Sequence, residues 1–218
     1  MSMGGLAPFR LVAPVLTFKN EDVQTGGGHY FYQDIWALRH LARIKPKMHY
    51  DVGSRLDGFT GQATSICAVT YVDIRPPTFE LPEFSFIKGD ILNLPFANES
   101  IQTLSCLHTI EHIGLGRYGD PINPEGYDRT LLELQRVVSP GGYLLLSMPV
   151  GKERTEFNAQ RILDPMNCIL RLKDMDLIEF SVVDNAGIFK VNVLPSTYVE
   201  AIFSCGLYLF RKKTLPIS

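Results

Sequence analysis

Short apolar runs alternate with helical or polar segments along most of this chain. Seven of these runs have the length and apolar content expected of buried strands. They are residues 48–52, 67–73, 84–89, 101–107, 142–148, 177–184 and 206–212. The pattern therefore predicts a sheet of seven strands.

Two intervening segments have the spacing of amphipathic helices. One is the stretch FYQDIWALRHLARI, which the following KPK ends, and the other covers residues 125–138 and closes at SPGG. The apolar positions of the first are Ile35, Leu38, Leu41 and Ala42. Strands that alternate with helices predict an α/β fold with a doubly wound, Rossmann-like parallel sheet, in which ligands bind beyond the carboxyl ends of the strands.

The chain divides into a short lead-in and one domain. Residues 1–28 are rich in glycine and proline and read as an extended or mobile lead-in, and residues 29–218 form the domain. A polar, aromatic insertion at about 114–128 is expected to overhang the ligand site. A total of 218 residues, 45% of them hydrophobic, suits one domain of medium size.

Composition and charge exclude several classes of protein. No run of 18 apolar residues is present, so no membrane span is expected, and the N-terminus lacks the pattern of a signal peptide, which favours a cytoplasmic protein. The four cysteines form no C-x-x-C pair and are expected to be buried free thiols. The net charge is −2, and seven acidic against three basic residues between Asp73 and Asp120 disfavour a nucleic-acid partner.

A carboxylate follows, or ends, each of the first three predicted strands. Asp51 ends the first strand and leads into a tight turn at Gly53. Asp73 ends the second strand 20 residues after Gly53, the spacing at which a carboxylate accepts hydrogen bonds from ribose hydroxyls. Asp90 follows the third strand and could accept a proton from an exocyclic adenine amine. The trio predicts a nucleotide-type site.

The residues after Gly53 discriminate between cofactors. Ser54 and Arg55 follow and the next glycine is Gly58, so the G-x-G-x-x-G turn that holds a pyrophosphate is absent. Asp51 could hold an ammonium group, while Arg55 or the turn amides hold a carboxylate. These groups predict S-adenosylmethionine as the cofactor.

The order DVGS, YVDIRP, GDILNLPFANESIQTLSCLHTIEHI and LLELQRVVSPGGYLLLSMPVG resembles the class I S-adenosylmethionine-dependent methyltransferases, and other motifs resemble an uncharacterised domain family of that superfamily. The resemblance implies seven strands with the last one antiparallel, and a cofactor site at the first four strand ends. The cofactor residues expected from the strand ends and from the resemblance are Asp51, Gly53, Ser54, Arg55, Asp73, Ile74, Asp90, Ile91 and Leu107. Most of the superfamily has glycine where this chain has Arg55 and Asp57, so these side chains are expected to shift the cofactor or weaken its binding.

The catalytic candidates follow the fourth strand. His108, Glu111 and His112 share one face if their segment is helical. Three hypotheses stay open: hydrogen bonding to loop backbone with His108 lining the pocket, proton removal from an acceptor by a histidine, and coordination of a divalent metal.

The acceptor is expected to be a small polar molecule, such as a sugar or a hydroxyl of a glycan precursor. Residues that could hydrogen-bond it are Tyr118, Asp120, Asn158 and Arg161. The segment HYFYQD could close the site from above, and a second subunit of a homodimer could complete it. The alternatives are a non-catalytic binding module with this fold and a nicotinamide-dependent enzyme.

Overall fold

The computed structural model describes residues 27–116, 121–156 and 159–214. Ten strands lie in these ranges. They are β1 (Met48–Val52), β2 (Ala68–Asp73), β3 (Phe84–Lys88), β4 (Ile101–Leu107), β5 (Val138–Val150), β6 (Arg154–Thr155), β7 (Arg161–Ile162), β8 (Met175–Val183), β9 (Phe189–Lys190) and β10 (Ser204–Lys212). The α-helices of these ranges are α1 (His29–Ile44), α2 (Gly61–Ala63), α3 (Gly126–Val137) and α4 (Asn167–Arg171). A π-helical turn, Leu56–Thr60, precedes α2, and 3₁₀ turns form at Ile110–His112 and Pro195–Tyr198.

The main sheet has the strand order β3-β2-β1-β4-β5-β10-β8-β9. Strands β1 to β5 pair in parallel, whereas β10 runs antiparallel to both β5 and β8. The predicted α/β fold and its antiparallel last strand are confirmed. The chain order reverses between β1 and β4, which is where ligands bind in open α/β sheets.

The predicted number of seven strands is too low. All seven predicted strands form, and β9 adds an eighth strand to the edge of the sheet by pairing with β8. Strands β6 and β7 form a separate two-stranded ribbon. Each of the three unpredicted strands has only two residues, too few to produce a detectable alternation of apolar and polar positions.

Two hydrophobic layers cover the two faces of the sheet. Along β5, Leu144 and Leu146 pack with the layer that contains α3, while Leu145 packs with the layer that contains α1. Successive side chains of a strand point to opposite faces, so a central strand buried on both sides is apolar at every position. This double burial explains the continuous run YLLLSM.

Helix α1 forms as predicted, but its buried face differs from the predicted apolar stripe. The buried residues are Gln33, Trp36, Ala37, His40 and Leu41. Ala42 is exposed, and Ile35 and Leu38 are half-buried. The rotation arises because Gln33 and His40 find hydrogen-bond partners inside, in Ser147 and Glu179 respectively.

Two expectations from composition can be compared with the fold. All four cysteines are free thiols, and Cys106, Cys168 and Cys205 are buried, as predicted. None of the helices in the described ranges combines the length and the apolar composition that a bilayer span requires. Residues 1–26 of the predicted lead-in and residues 117–120 of the predicted insertion lie outside the described residues.

Candidate functional site

The candidate site lies at the edge of the sheet where β1 to β5 end. Parallel strands deliver Asp51, Asp73 and the loop after β3 to this one edge. Strand β10 runs the opposite way, so it begins at the edge where β4 and β5 end. Helix α1 packs over the same region through Gln33, which accepts a 2.6 Å hydrogen bond from the Ser147 hydroxyl at the end of β5.

Asp51 organises the first turn from inside the protein. Its side chain is fully buried and accepts a 2.7 Å hydrogen bond from the Ser54 hydroxyl and another from the Ser105 hydroxyl. Burial raises the pKa of Asp51 to about 6, against the opposing effect of the hydrogen bonds from Ser105 and Ser54. Both carboxylate oxygens accept hydrogen bonds from protein groups, Oδ2 from the two hydroxyls and Oδ1 from the Ser54 backbone N–H at 3.2 Å. The predicted contact of Asp51 with a ligand ammonium group stays a prediction.

Ser54 joins this turn to the end of β4. Its hydroxyl also accepts a 2.9 Å hydrogen bond from the backbone N–H of Leu107. Ser54 is 3% exposed and Leu107 is 1% exposed, and the Leu107 side chain packs in the core beneath α1. These two predicted cofactor residues thus hold the site together, and their side chains do not line its surface.

The turn itself requires glycine at position 53. Gly53 has a φ of +70°, and a Cβ atom there would lie 2.7 Å from Cγ2 of Thr109. Side chains are disfavoured by this backbone conformation and by the contact with Thr109. The turn therefore presents bare backbone to the space beyond β1.

Arg55 and Asp57 are exposed beside the turn. Their side chains are 55% and 71% exposed and form a bidentate pair with N···O distances of 3.0 and 2.7 Å. The Arg55 guanidinium also lies 4.6 Å from the centre of the Tyr30 ring in α1. Their expected effect on the position or affinity of the cofactor stays a prediction.

Asp73 and Asp90 lie at adjacent strand ends. The Asp73 carboxylate accepts hydrogen bonds from the backbone N–H of Arg75 at 2.8 Å and from the Tyr71 hydroxyl at 3.1 Å. Burial, reinforced by the neighbouring Asp73 charge, raises the pKa of Tyr71, so the hydroxyl stays protonated and can donate. Ile74 is 51% exposed directly after Asp73.

The loop after β3 has a similar arrangement. Asp90 is exposed and accepts a 2.9 Å hydrogen bond from the backbone N–H of Leu92, while Ile91 is buried. Strands β2 and β3 pair as far as Asp73 and Lys88, so the carboxylates of Asp73 and Asp90 lie in neighbouring loops. An apolar surface between two hydrogen-bond acceptors suits a nucleoside.

His108 occupies the loop directly after β4. Its backbone is left-handed, with a φ of +50°, and its N–H donates to the Ser147 carbonyl at 3.0 Å. The Ser147 hydroxyl lies 3.3 Å from Nδ1 of His108, and the Tyr30 ring meets the imidazole edge at 5.1 Å. Burial lowers the pKa of His108 to about 3, helped by nearby His29 and His112. The ring is neutral near pH 7 and is a weaker base than an ordinary histidine.

His108 lies outside the short turn that carries Glu111 and His112. Only Ile110–His112 forms a 3₁₀ turn, so the three side chains do not share a helical face. Nε2 of His112 is 3.8 Å from the buried Glu111 carboxylate, and its Nδ1 is 3.0 Å from the carbonyl of Ala159. This arrangement favours the hypothesis that Glu111 and His112 hold the loop.

Of the four predicted substrate residues, only Arg161 lies within the described ranges. Nη1 of Arg161 donates to the carbonyl of Ile113 at 2.7 Å, so its guanidinium helps to fix the loop backbone. Tyr118, Asp120 and Asn158 lie outside the described residues.

Several residues of this edge escaped prediction because their partners are distant in sequence. Gln33 and Ser147 are 114 positions apart, and the segments that contain them give no signal that these two side chains pair. The hypothesis of a divalent metal site is also revised. In the described ranges, the metal-binding side chains that converge are His29, His108 and Cys205, not the predicted His108, Glu111 and His112.

The chain resembles proteins of known structure over most of its length. N-methyltransferase NodS from Bradyrhizobium japonicum WM9, in complex with S-adenosylhomocysteine, superposes with a TM-score of 0.60 over 91% of this chain and 92% of its own, at 13% identity. The [4+2]-cyclase SpnF gives a TM-score of 0.59 over 88% of this chain and 86% of its own, at 13% identity. The fold is that of the class I methyltransferases. The predicted resemblance is confirmed at this level, and the cyclase illustrates that the methyltransferase fold carries other reactions too.

A third neighbour has a bound small molecule. Phosphoethanolamine N-methyltransferase 2 from Haemonchus contortus, in complex with phosphomonomethylethanolamine and S-adenosylhomocysteine, has a TM-score of 0.58. The match covers 84% of this chain and 53% of that one, at 13% identity.

By sequence, residues 93–192 match the family model described as "Caenorhabditis protein of unknown function, DUF268". No curated protein matches the sequence significantly.

Proposed function

We propose that this protein binds S-adenosylmethionine beyond the ends of β1, β2 and β3 and transfers its methyl group to a small polar acceptor. The observation that carries the proposal is the bare-backbone turn at Gly53 followed by carboxylates at the ends of the next two strands. When bound, S-adenosylmethionine supplies an electrophilic methyl group on a positively charged sulfur. The methyltransferase fold and the cofactor product in two of its neighbours support this assignment.

Each part of the cofactor has a matching group at this edge. The backbone of the Gly53 turn is suited to the amino acid end. The Asp73 carboxylate is suited to the ribose hydroxyls, since its present partner Arg75 has a side chain that is 66% exposed and can move aside. Half-exposed Ile74 offers an apolar surface for the adenine, and the Asp90 carboxylate can accept a hydrogen bond from the adenine amine.

In this proposal the acceptor lies beyond β4 and β5, under the first turns of α1. The half-buried His108 imidazole lies there and is neutral, and the buried Ser147 hydroxyl, which donates to the buried Gln33 amide, lies beside its Nδ1 atom. A neutral imidazole suits a small acceptor that is itself neutral and polar, such as a sugar hydroxyl. The Haemonchus contortus phosphoethanolamine N-methyltransferase is likewise bound to a small polar molecule, phosphomonomethylethanolamine.

Catalysis in this site rests on alignment. Methyl transfer disperses charge as it proceeds, so an enzyme gains mainly by holding the acceptor in line and excluding water. Helix α1 supplies the cover, and neutral His108 can accept a hydrogen bond from the acceptor. A hydroxyl acceptor would lose its proton to solvent, because His108 is too weak a base to keep it. The same weak basicity also favours the alternative, a binding module without turnover.

Calorimetry with S-adenosylhomocysteine tests the cofactor site. Asp73→Asn removes a charged acceptor, and hydrogen bonds to charged groups contribute about 1.5–3 kcal/mol, so its affinity should fall roughly 10- to 150-fold. Asp176→Asn, which removes an exposed carboxylate from β8 at the other end of the sheet order, is the matched control.

Two results would contradict the cofactor assignment: no binding of S-adenosylhomocysteine at millimolar concentration, or equal binding by wild type and Asp73→Asn. Transfer of a labelled methyl group to a panel of small alcohols and amines then separates an enzyme from a binding module. Protection against thermal unfolding by NAD in place of S-adenosylmethionine would favour the nicotinamide alternative.

A further inference from the structure

Two histidines and a cysteine from three separate elements converge above the candidate acceptor site. His29 is the first residue of α1, His108 follows β4, and Cys205 is the second residue of β10. One ligand atom of each, nitrogen or sulfur, lies within 4.8 Å of the others. The convergence follows from the sheet, because β10 begins beside the end of β5, which pairs with β4 on its other side.

Both imidazole rings are held in place by neighbours. The His29 ring stacks on the Phe203 ring, with centroids 5.0 Å apart and planes inclined by 22°. His108 is fixed by its backbone hydrogen bond to Ser147 and by its left-handed conformation. A proton on Nδ1 of His108 can be donated to the Ser147 hydroxyl at 3.3 Å, which leaves the lone pair on Nε2. Metal-bound histidines commonly donate their second ring N–H in this way.

The types of ligand also indicate which cation would bind. Thiolate and imidazole ligands together favour Zn²⁺ and chemically similar ions over Mg²⁺ or Ca²⁺, which prefer oxygen.

We propose that His29, His108 and Cys205 form a binding site for Zn²⁺ or a similar divalent transition-metal ion. In a tetrahedral site with bonds of 2.0–2.3 Å, ligand atoms lie roughly 3.5 Å apart. Since each of the three atoms lies within 4.8 Å of the others, each separation needs to shorten by at most about 1.3 Å, through small movements of the half-buried His29 and His108 rings. Three protein ligands leave a fourth position for water or another ligand, and the ion links α1 to the sheet. While the ion is bound, the His108 nitrogen that binds it does not accept a hydrogen bond from the acceptor.

Metal titrations of the full chain, freed of metal with a chelator, test this site without any cofactor. Zn²⁺ should bind with one ion per chain in calorimetry. Co²⁺ should give the near-ultraviolet thiolate-to-metal band and the visible bands of a four-coordinate site. Cys205→Ser should remove the thiolate band, whereas Cys67→Ser, at a half-buried cysteine outside the cluster, should retain it.

His29→Ala is the second test, because a side chain at the start of a helix can be removed with little risk to folding. It should weaken Zn²⁺ binding at least about 10-fold, since loss of even an outer partner of a metal ligand costs 10- to 100-fold. Absence of stoichiometric binding, or a thiolate–cobalt band that persists in Cys205→Ser, would overturn the proposal. Binding of S-adenosylhomocysteine is measured separately, so failure of the metal site and failure of the cofactor site are distinguishable.

Discussion

The buried carboxyl group of Asp51 is expected to make the stability of this protein depend on pH. Burial raises its pKa from the ordinary value of 3.8 to about 6. The folded protein thus binds the proton more tightly than the unfolded chain. This contribution to stability is fully present below about pH 4 and is lost as the pH rises through about 6. A shift of about two pKa units corresponds to about 3 kcal/mol, which is the cost of keeping Asp51 ionised in the folded state near pH 7.

Asp51→Asn should remove this dependence. The amide has nearly the same shape as the protonated acid and can still hydrogen-bond the hydroxyls of Ser54 and Ser105. Urea unfolding of both proteins between pH 4 and 7.5 measures the effect, and Trp36, the single tryptophan at 2% exposure, reports unfolding by fluorescence. Subtracting the two free energies of unfolding cancels the titration of every other group.

The difference should move in favour of Asp51→Asn by about 2 kcal/mol between pH 4 and 7, most of it between pH 4 and 6, with half of the change reached near pH 5. Asp176→Asn, at an exposed carboxylate, reports the effect of removing one surface charge. A difference that stays constant over the whole pH range would refute the assignment of Asp51 as a buried group that prefers its proton.

Two further substitutions test how the site is supported. Gly53→Ala should destabilise the protein by at least about 1–2 kcal/mol, because alanine is strained at positive φ and its methyl would meet Thr109. Adding Thr109→Ser removes the contacting Cγ2 atom. The double variant should recover part of the lost thermal stability, while the strain at positive φ remains. No recovery would show that the contact with Thr109 is unimportant. Glu179→Ala removes the acceptor of the buried Trp36 indole N–H, bonded at 2.9 Å, and should cost about 1–3 kcal/mol. Trp36 emission should shift to the red and hydrogen exchange in α1 should accelerate, whereas Glu179→Gln, which keeps an oxygen acceptor, should resemble wild type.

The strand and helix positions were predictable because each rests on a local pattern. Strands β1 and β4 begin and end where the sequence predicts, since their apolar runs are bounded by polar or turn residues. Strand β5 is longer than predicted because Val138 pairs with Ile101 immediately after α3 ends, a contact with no local signal. The face of α1 was mispredicted for a similar reason, since hydrophobicity alone does not indicate that Gln33 is buried.

The sequence by itself determined the α/β architecture, the antiparallel last strand and the presence of carboxylates at three strand ends. These features follow from periodicity, from turn chemistry and from motifs that recur in one superfamily. Only the tertiary structure decided what each side chain faces. It buried Asp51 and left Arg55 exposed, and it brought His29 and Cys205 beside His108 across 176 positions of sequence. The reason is physical: a carboxylate is a ligand group or a buried hydrogen-bond acceptor according to its neighbours, and the sheet brings those neighbours together.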